Sequence, residues 1–517
     1  MEEEAAPDTS ISSGMNERYT APDHRSSLAD TTRRLGDFLT RMSERRRVFE
    51  ISFILHLLLF FMTVMASWTW GLFHLLAAAD LAVFFLCILS ALRSGFITEL
   101  HSKGKGWTLL VLFFLPLIIQ LLLLLEDPNF SQDILRLQFR GEALREGLIP
   151  YRDFEVNKPP LYVWMVGLVS TLFGPSPISF RAVFVVFNSL IPPLMYMIGE
   201  RSKEANLSGF GWRTGAFAYA LWPLAFLEVG LSGHFDPVVM VLVLLAYMGL
   251  VSGRTFSSGV FLGAGFALKM FPLFLIPLFF LGSSSRRSRW MLLPGFISVP
   301  LLSTLPFMIS DPGGILEYLS YQSSGWGVSL SLRYVLDLGL SVWGIPLMSS
   351  FLLSIAVLAA GWVLIVISGM HGSRRGVTPV LLGLASLSLV PTGSTVIVIL
   401  ADTTGPLISA AGVLSILASL AFILLSFRII LTSRRDAGPK RRRHRMRWLI
   451  PGWNLPSTIT MVILLLLLVS AQYHPWYLMW AAPFAFASGG RTAWSFLLLS
   501  GPLQYNAYFP WDLGTHF

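Results

Sequence analysis

The sequence predicts an all-α fold: a polytopic bundle of roughly 13 to 15 membrane-spanning helices, with an outer-face loop that carries interfacial amphipathic helices. Of the 517 residues, 54% are hydrophobic and 13% are charged, and the mean hydropathy is +0.65, which is too apolar for a soluble protein. Apolar stretches long enough to cross a hydrocarbon core of about 30 Å recur from Ile51 to Leu499. Because backbone groups in lipid must bond within their own segment, each stretch is predicted to be a helix.

The basic residues lie in short loops between the predicted spans. The formal net charge is +9, which by itself is also typical of nucleic-acid binding. Arg434, Arg435 and the run 440–447 instead follow the pattern of cytoplasmic loops, which are rich in Lys and Arg. We therefore expect the lipid bilayer, and no nucleic acid, as a partner. The single cysteine, Cys87, excludes an intramolecular disulfide and is assigned a packing role.

Four segments are predicted along the chain. Residues 1–50 form a cytoplasmic tail, largely disordered, without the pattern of a secretory signal peptide. Residues 51–106 are predicted to form an additional N-terminal transmembrane hairpin, residues 107–508 the main transmembrane domain, and residues 509–517 a tail at the outer face. With the N-terminus in the cytoplasm, the later basic loops also lie there. The protein is expected in the cell membrane of a prokaryote or in the endoplasmic reticulum of a eukaryote.

A polar insert, Glu126 to Pro160, concentrates acids and bases that the apolar segments avoid, and it is predicted at the outer face. Within it, QDILRLQFRGEALREG has the pattern of an amphipathic helix that ends at Gly147. Its apolar side is formed by Ile134, Leu137, Leu144 and Leu148. Asp133 opens this helix, where a catalytic role and a simple N-cap are both open.

Neither of two apolar segments after the insert is predicted to be a single continuous span. The run LYVWMVGLVSTLFG ends at Gly174 and Pro175, and we expect it to dip into the outer leaflet and return. The segment from Gly259 to Gly282 is too long for one helix and contains Pro272, so it predicts two short helices that meet at Lys269. This places an ammonium group near the outer surface.

The other candidate site residues are predicted on the same face. Asp236 lies beside His234 at the head of a span, where it is either functional or a helix cap. Lys158 and Lys269 are expected at the depth of a lipid phosphate, although lysines there are also common as snorkelling anchors. His474 follows Tyr473 in QYHPWYLMW, and an aromatic belt at the interface explains the aromatic residues but not the histidine.

Four other acidic residues are not assigned to the site. Glu126, Asp127 and Asp153 are interpreted as solvated loop charges, and Asp80 inside an early span as a partner of a neighbouring helix.

Four motifs in this order resemble the GT-C superfamily of membrane glycosyltransferases, over roughly residues 107 to 490. They are GEALREGLIPYRDFEVNKPPLYVW after an Asp, GHFDPVVMVLVLLAYMGL, SSGVFLGAGFALKMFPLFLIPLFF and QYHPWYLMWAAPF. The resemblance is closest to the branch that uses polyprenol-phosphomannose. It implies transfer of a hexose, with mannose favoured, from a polyprenyl-phosphate donor to a lipid, glycan or protein acceptor on the extracytoplasmic face.

The resemblance also implies roles for the candidate residues. Asp133 matches the catalytic base of the family and Asp236 its second acidic position, with inversion at the anomeric carbon. Lys158, Lys269 and His474, with Tyr473, match places that hold the lipid phosphate or the sugars.

The chain departs from the family pattern in two places. The first loop reads DIL after Asp133, without a second acid, so no cofactor is certain and a divalent cation is left open. The second outer loop has Ser324, Gly325 and Val328 where the mannosyltransferase branch often carries Arg-Gly and Glu.

Two rival functions stay open at this point. A lipid or solute transporter or flippase needs polar groups and broken helices at the membrane midplane. The charged residues here gather at one interface instead, which favours an enzyme. A non-catalytic member of the same fold is the third alternative, because the second outer loop is altered.

Overall fold

The computed structural model of the chain describes residues 46–65, 70–125, 132–202, 210–283, 285–316, 454–469, 474–489 and 492–497, with single residues at positions 37, 318, 361, 365 and 500. All regular structure in these ranges is helical, and no strand occurs in them. The predicted all-α fold is therefore confirmed. Tyr473 and the altered second outer loop at Ser324, Gly325 and Val328 lie outside the described residues.

Fifteen α-helices are named here in chain order. They are α1 (Arg46–Met65), α2 (Trp70–Arg93), α3 (Phe96–Ser102), α4 (Lys105–Leu123), α5 (Gln132–Arg145), α6 (Pro160–Phe173), α7 (Pro177–Arg201), α8 (Trp212–Ala220), α9 (Pro223–Ala225), α10 (Asp236–Val251), α11 (Thr255–Leu268), α12 (Ile276–Gly282), α13 (Arg286–Ser310), α14 (Leu455–Val469) and α15 (Leu478–Ala487). A π-helical turn, Phe226–Leu231, continues α9, and 3₁₀ turns cover Phe271–Leu275 and Pro475–Tyr477.

Several helices are long and apolar enough to cross a membrane. By length and composition, α1, α4, α7 and α13 qualify alone among the described residues. Two bent pairs raise this number to six: the end of α2 with α3, and α8 with the segment Pro223–Leu231. The chain is thus an all-α polytopic bundle. The larger span count stays a prediction, because several of the predicted spans fall outside the described residues.

The polar insert has the predicted helix, with one difference. Ile134 and Leu137 on α5 are buried, as the pattern predicts, and Gly147 has a φ of 82° just after the helix. Leu148, however, is 40% exposed, so its placement on the buried side is wrong. The helix ends at Arg145, and the helical period no longer applies to a residue beyond it.

Buried polar groups join α1 to α2 and to the bend between α8 and α9. Nδ1 of His56 lies 2.7 Å from Oδ1 of Asp80, and both side chains are fully buried. Nε2 of His56 lies 3.1 Å from the carbonyl oxygen of Leu221, at the bend between α8 and α9. The interpretation of Asp80 as a partner of a neighbouring helix is confirmed.

Glycines allow α11 and α13 to approach closely. A Cβ atom built on Gly263 would lie 2.1 Å from the carbonyl oxygen of Phe296, and one on Gly259 would lie 2.2 Å from that of Leu292. On the opposite helix, a Cβ on Gly295 would lie 2.3 Å from the carbonyl oxygen of Phe256. Small residues spaced four positions apart commonly allow helices to pack closely in membranes.

We expect Gly263→Ala to destabilise the protein by about 1–3 kcal/mol, because the added methyl group must push α11 away from α13. Thermal unfolding in detergent measures this effect. Gly167→Ala is the matched control, because a Cβ on Gly167 in α6 would meet only Leu144, at an ordinary 3.7 Å. Equal unfolding temperatures for the two variants would contradict the close approach.

Candidate active site

Six polar residues from distant parts of the sequence form one group, which we call the polar cluster: Asp133, Lys158, His234, Asp236, Lys269 and His474. Asp133 lies in the first turn of α5, and Lys158 lies just before α6. His234 lies between the π-helical turn and α10, and Asp236 is the first residue of α10. Lys269 lies between α11 and the 3₁₀ turn that follows it, and His474 lies before the last 3₁₀ turn. The cluster therefore forms where helices begin or break.

An irregular segment between α9 and α10 positions His234. Gly233 has a φ of 74°, a conformation that favours glycine, and a Cβ there would lie 2.7 Å from Cδ1 of Ile134. The π-helical turn before it is held by Arg181, whose guanidinium donates to the carbonyl oxygens of Gly230 and Leu123. This arrangement brings the segment against the first turn of α5.

Asp133 is a carboxylate surrounded by positive or potentially positive groups. Its Oδ2 lies 3.7 Å from Nδ1 of His234, and its Oδ1 lies 3.5 Å from Nη1 of Arg136. Burial by itself raises the pKa of Asp133, but His234, Lys158, Lys269 and Arg136 together hold this pKa below its ordinary value. The side chain remains 43% exposed. Asp133 is therefore an ionised carboxylate that a second molecule can reach.

Three aromatic rings form a stack beside Asp133. The imidazole of His234 stacks on the indole of Trp476, with ring centroids 4.3 Å apart, and the other face of Trp476 stacks on His474 at 4.1 Å. Burial and the nearby positive groups lower the pKa of His474 to about 4, although the carboxylate of Asp133 opposes the shift. His474 is therefore neutral at physiological pH and can offer one N–H donor.

Asp236 and Lys269 form a buried ion pair. Nζ of Lys269 donates to Oδ1 of Asp236 at 2.6 Å, and Nε1 of Trp480 donates to the same oxygen. The ammonium also lies over the rings of Phe235, Tyr477 and Trp480, at 5.2, 4.4 and 4.9 Å from their centroids. The helix-cap interpretation of Asp236 is wrong, because its carboxylate bonds across to other elements. The snorkelling interpretation of Lys269 is also wrong, because its ammonium pairs with the buried carboxylate of Asp236.

Lys158 differs from Lys269 because its ammonium forms no hydrogen bond or ion pair with the described residues. Its backbone is held by Tyr151, whose hydroxyl donates to the Lys158 carbonyl oxygen at 2.7 Å. Burial, and next the repulsion from Lys269, lower the pKa of Lys158 to about 8, although Asp133 opposes the shift. A partly desolvated ammonium without a counter-ion is suited to bind an anionic ligand.

The structure thus brings together five of the six predicted site residues, and the sixth, Tyr473, lies outside the described residues. Three residues near them were not singled out from the sequence: Glu228, Trp476 and His234. Glu228 is a lone acid within an apolar run, which is a usable signal for function. His234 was noted only as a neighbour of Asp236, because nothing in the local sequence shows that it faces Asp133.

Metal ligands were left open by the sequence. Within the part of the chain that the structure describes, no three His, Cys, Asp or Glu side chains converge in a way that could hold a metal ion.

Comparison with known families supports one class of activity. A family model described as glycosyltransferase family 87 matches residues 159–391, somewhat less than half of the chain. The matched range includes Asp236 and Lys269, but it begins after Asp133 and Lys158 and ends before His474. Comparisons with curated proteins and with solved structures gave no match. Together with the apolar helices, the similarity to this family supports a glycosyltransferase enzyme that is a multi-pass membrane protein.

Proposed function

We propose that the chain transfers a hexose, with mannose favoured, from a polyprenyl-phosphate donor to a lipid, glycan or protein acceptor. The observation that carries this proposal is the reachable carboxylate of Asp133 in the same cluster as the unpaired ammonium of Lys158. Transfer of a sugar from a lipid phosphate needs both groups: a base for the acceptor and a cation for the leaving phosphate. The polar cluster faces the extracytoplasmic side in this proposal.

The reaction is a single displacement at the anomeric carbon. Asp133 accepts the proton of the acceptor hydroxyl as the hydroxyl oxygen bonds to that carbon. The bond from the carbon to the phosphate oxygen breaks, and its electron pair leaves with the lipid phosphate. Lys158 stabilises the second negative charge that the phosphate gains. The configuration of the sugar is inverted, because the attack and the departure occur on opposite faces.

The remaining members of the cluster act on the substrate in a different way. Lys269 is neutralised by Asp236, so the pair contributes no net charge to the phosphate and instead shapes the aromatic wall beside it. Neutral His474 offers its N–H to a sugar hydroxyl or to a phosphate oxygen. The lipid tail of the donor reaches the cluster from the bilayer between helices.

A direct assay tests the proposed function. Purified protein in detergent or in liposomes is incubated with radiolabelled polyprenyl-phosphate mannose, or its glucose counterpart, and with candidate acceptors. Formation of a labelled product with inverted configuration is the expected result. Movement of the labelled lipid between leaflets without transfer would show a flippase instead, and neither activity with any donor would refute the proposal.

We expect Lys158→Met to raise the KM for the donor by about 10- to 100-fold, which corresponds to the loss of a hydrogen bond to a charged group. In the native protein, kcat/KM for the donor should fall as the pH rises through about 8, because the free ammonium then loses its proton. In Lys158→Arg this alkaline fall should disappear, because a guanidinium keeps its charge. Steady-state kinetics between pH 6 and about 10 measure both effects.

Lys105→Met is the matched control for this prediction. Lys105 is exposed in the first turn of α4. The helix extends about 27 Å from this residue to its other end at Leu123. A donor KM that rises equally in both variants would contradict a specific role for Lys158.

A further inference from the structure

Beside the proposed base lies a second carboxylic acid that the mechanism above does not use. Glu228 belongs to the π-helical turn Phe226–Leu231, and its side chain is only 2% exposed. Its Oε2 lies 3.4 Å from Nε2 of His234, while its Oε1 has no hydrogen-bond partner among the described residues. His234 in turn places Nδ1 3.7 Å from Oδ2 of Asp133. One imidazole ring therefore lies between two carboxyl groups.

The backbone fixes this arrangement. The N–H of His234 donates to the carbonyl oxygen of Glu228 at 3.0 Å, so both residues belong to the same irregular turn. The ring plane of His234 is set by its stacking on Trp476. π-helical turns are rare and occur frequently at functional sites. The distances to the two carboxyl groups are longer than ideal hydrogen bonds, as is common for catalytic contacts before the substrate binds.

The number of protons decides which contacts are attractive. Burial lowers the pKa of His234, although Asp133 and Asp236 oppose this shift, so the neutral ring is the favoured form. A neutral imidazole has one N–H and one lone pair, so it cannot donate to two ionised carboxylates at once. If the proton is on Nε2, the lone pair of Nδ1 faces the Asp133 carboxylate, which is repulsive. If Glu228 carries a proton, it donates to Nε2, and the ring proton resides on Nδ1, where it attracts Asp133. Burial favours the neutral form of the Glu228 carboxyl group, because an isolated charge is costly to remove from water.

We propose that His234 is a positioning residue for Asp133, and that Glu228, as a buried carboxylic acid, keeps the ring proton of His234 on Nδ1. The Nδ1–H of His234 holds Oδ2 of Asp133 and leaves Oδ1 to accept the proton of the acceptor hydroxyl. This inference rests on the proposed function, since it concerns the orientation of the same base. The other charged groups that face His234 are Asp236, Lys158 and Lys269, with His474 on the far side of Trp476.

Two amide substitutions distinguish the ring nitrogens. The amide nitrogen of Asn coincides with Nδ1 of His234, so His234→Asn keeps the donor to Asp133 and should retain kcat within about 5-fold. The amide of Gln coincides with Nε2, so His234→Gln loses this donor, and His234→Leu has no donor at all. His234→Gln and His234→Leu should each lower kcat by about 10- to 100-fold, while the KM for the sugar donor stays nearly unchanged. A purely structural role would not separate Asn from Gln.

The pH profile gives a second readout. Donation from the Nδ1–H of His234 stabilises the ionised form of Asp133 and thereby lowers the pKa of this carboxyl group. In His234→Leu the acidic limb of kcat/KM should therefore move to higher pH, whereas in His234→Asn it should stay close to that of the native protein. An unchanged acidic limb in His234→Leu, or an equal loss of kcat in the Asn and Leu variants of folded protein, would overturn the inference.

A spectroscopic measurement tests Glu228 without turnover. The infrared difference spectrum between the native protein and Glu228→Gln at neutral pH should contain the carbonyl band of a protonated carboxylic acid. Absence of this band would overturn the assignment of Glu228 as a donor. This readout does not depend on transfer, so a failure of the proposed function, seen as no product from any donor, is distinguishable from a failure of the inference.

Discussion

Asp133→Asn is expected to lower kcat for the proposed sugar transfer by about 10³-fold while the protein remains folded. General-base catalysis contributes about 10²- to 10⁴-fold, and an amide does not accept the hydroxyl proton. Because Asn keeps the shape and most of the hydrogen-bonding capacity of Asp, binding of the donor should change little. Asp133→Glu should recover part of the activity, since it restores a carboxylate in a slightly different position. Initial rates with saturating donor and acceptor measure the loss.

Glu146→Gln is the matched control for this prediction. Glu146 lies in the same polar insert, just after α5, but it is exposed to solvent and is not part of the polar cluster. Its substitution should leave kcat unchanged. Circular dichroism and the unfolding temperature verify that both variants are folded. Normal turnover by Asp133→Asn would refute Asp133 as the base and require another residue in that role.

Lys269→Met is expected to lower the free energy of unfolding by about 3 kcal/mol or more. The reason is that Asp236, which is 1% exposed, would then keep a buried charge without its ion-pair partner. Trp480 alone would still donate to Oδ1, and Oδ2 has no hydrogen-bond partner among the described residues even in the native protein. Denaturant titration in mixed micelles, followed by tryptophan fluorescence, measures the change.

The double variant Lys269→Met with Asp236→Asn separates charge from packing. It removes both charges, and the Asn oxygen still accepts from Trp480, so it should recover most of the lost stability. Residual instability would reflect the lost contacts of the ammonium with Tyr477 and Phe235. If Lys269→Met were as stable as the native protein, the ion pair with Lys269 would not stabilise the buried charge of Asp236.

Local features of the fold were predictable because they depend on neighbouring residues. Glycines 147 and 174 were expected to end helices, and both have a positive φ just after α5 and α6. The break at Lys269 was expected from Pro272, which cannot continue a helix that begins several residues earlier. Hydropathy likewise indicated the helical membrane bundle. None of these features requires knowledge of which helices are neighbours.

By itself, the sequence determined that this is a helical membrane protein whose charged residues gather at a few helix ends, and it indicated which of them to examine. Only the tertiary structure decided what each one contacts: Lys269 pairs with Asp236, which is 33 positions away, and Asp236 accepts from Trp480, which is 244 positions away. It also placed His234 between Asp133 and Glu228. The physical reason is that hydropathy and helix period are local properties, whereas the partner of a buried charge is chosen by the packing of distant helices.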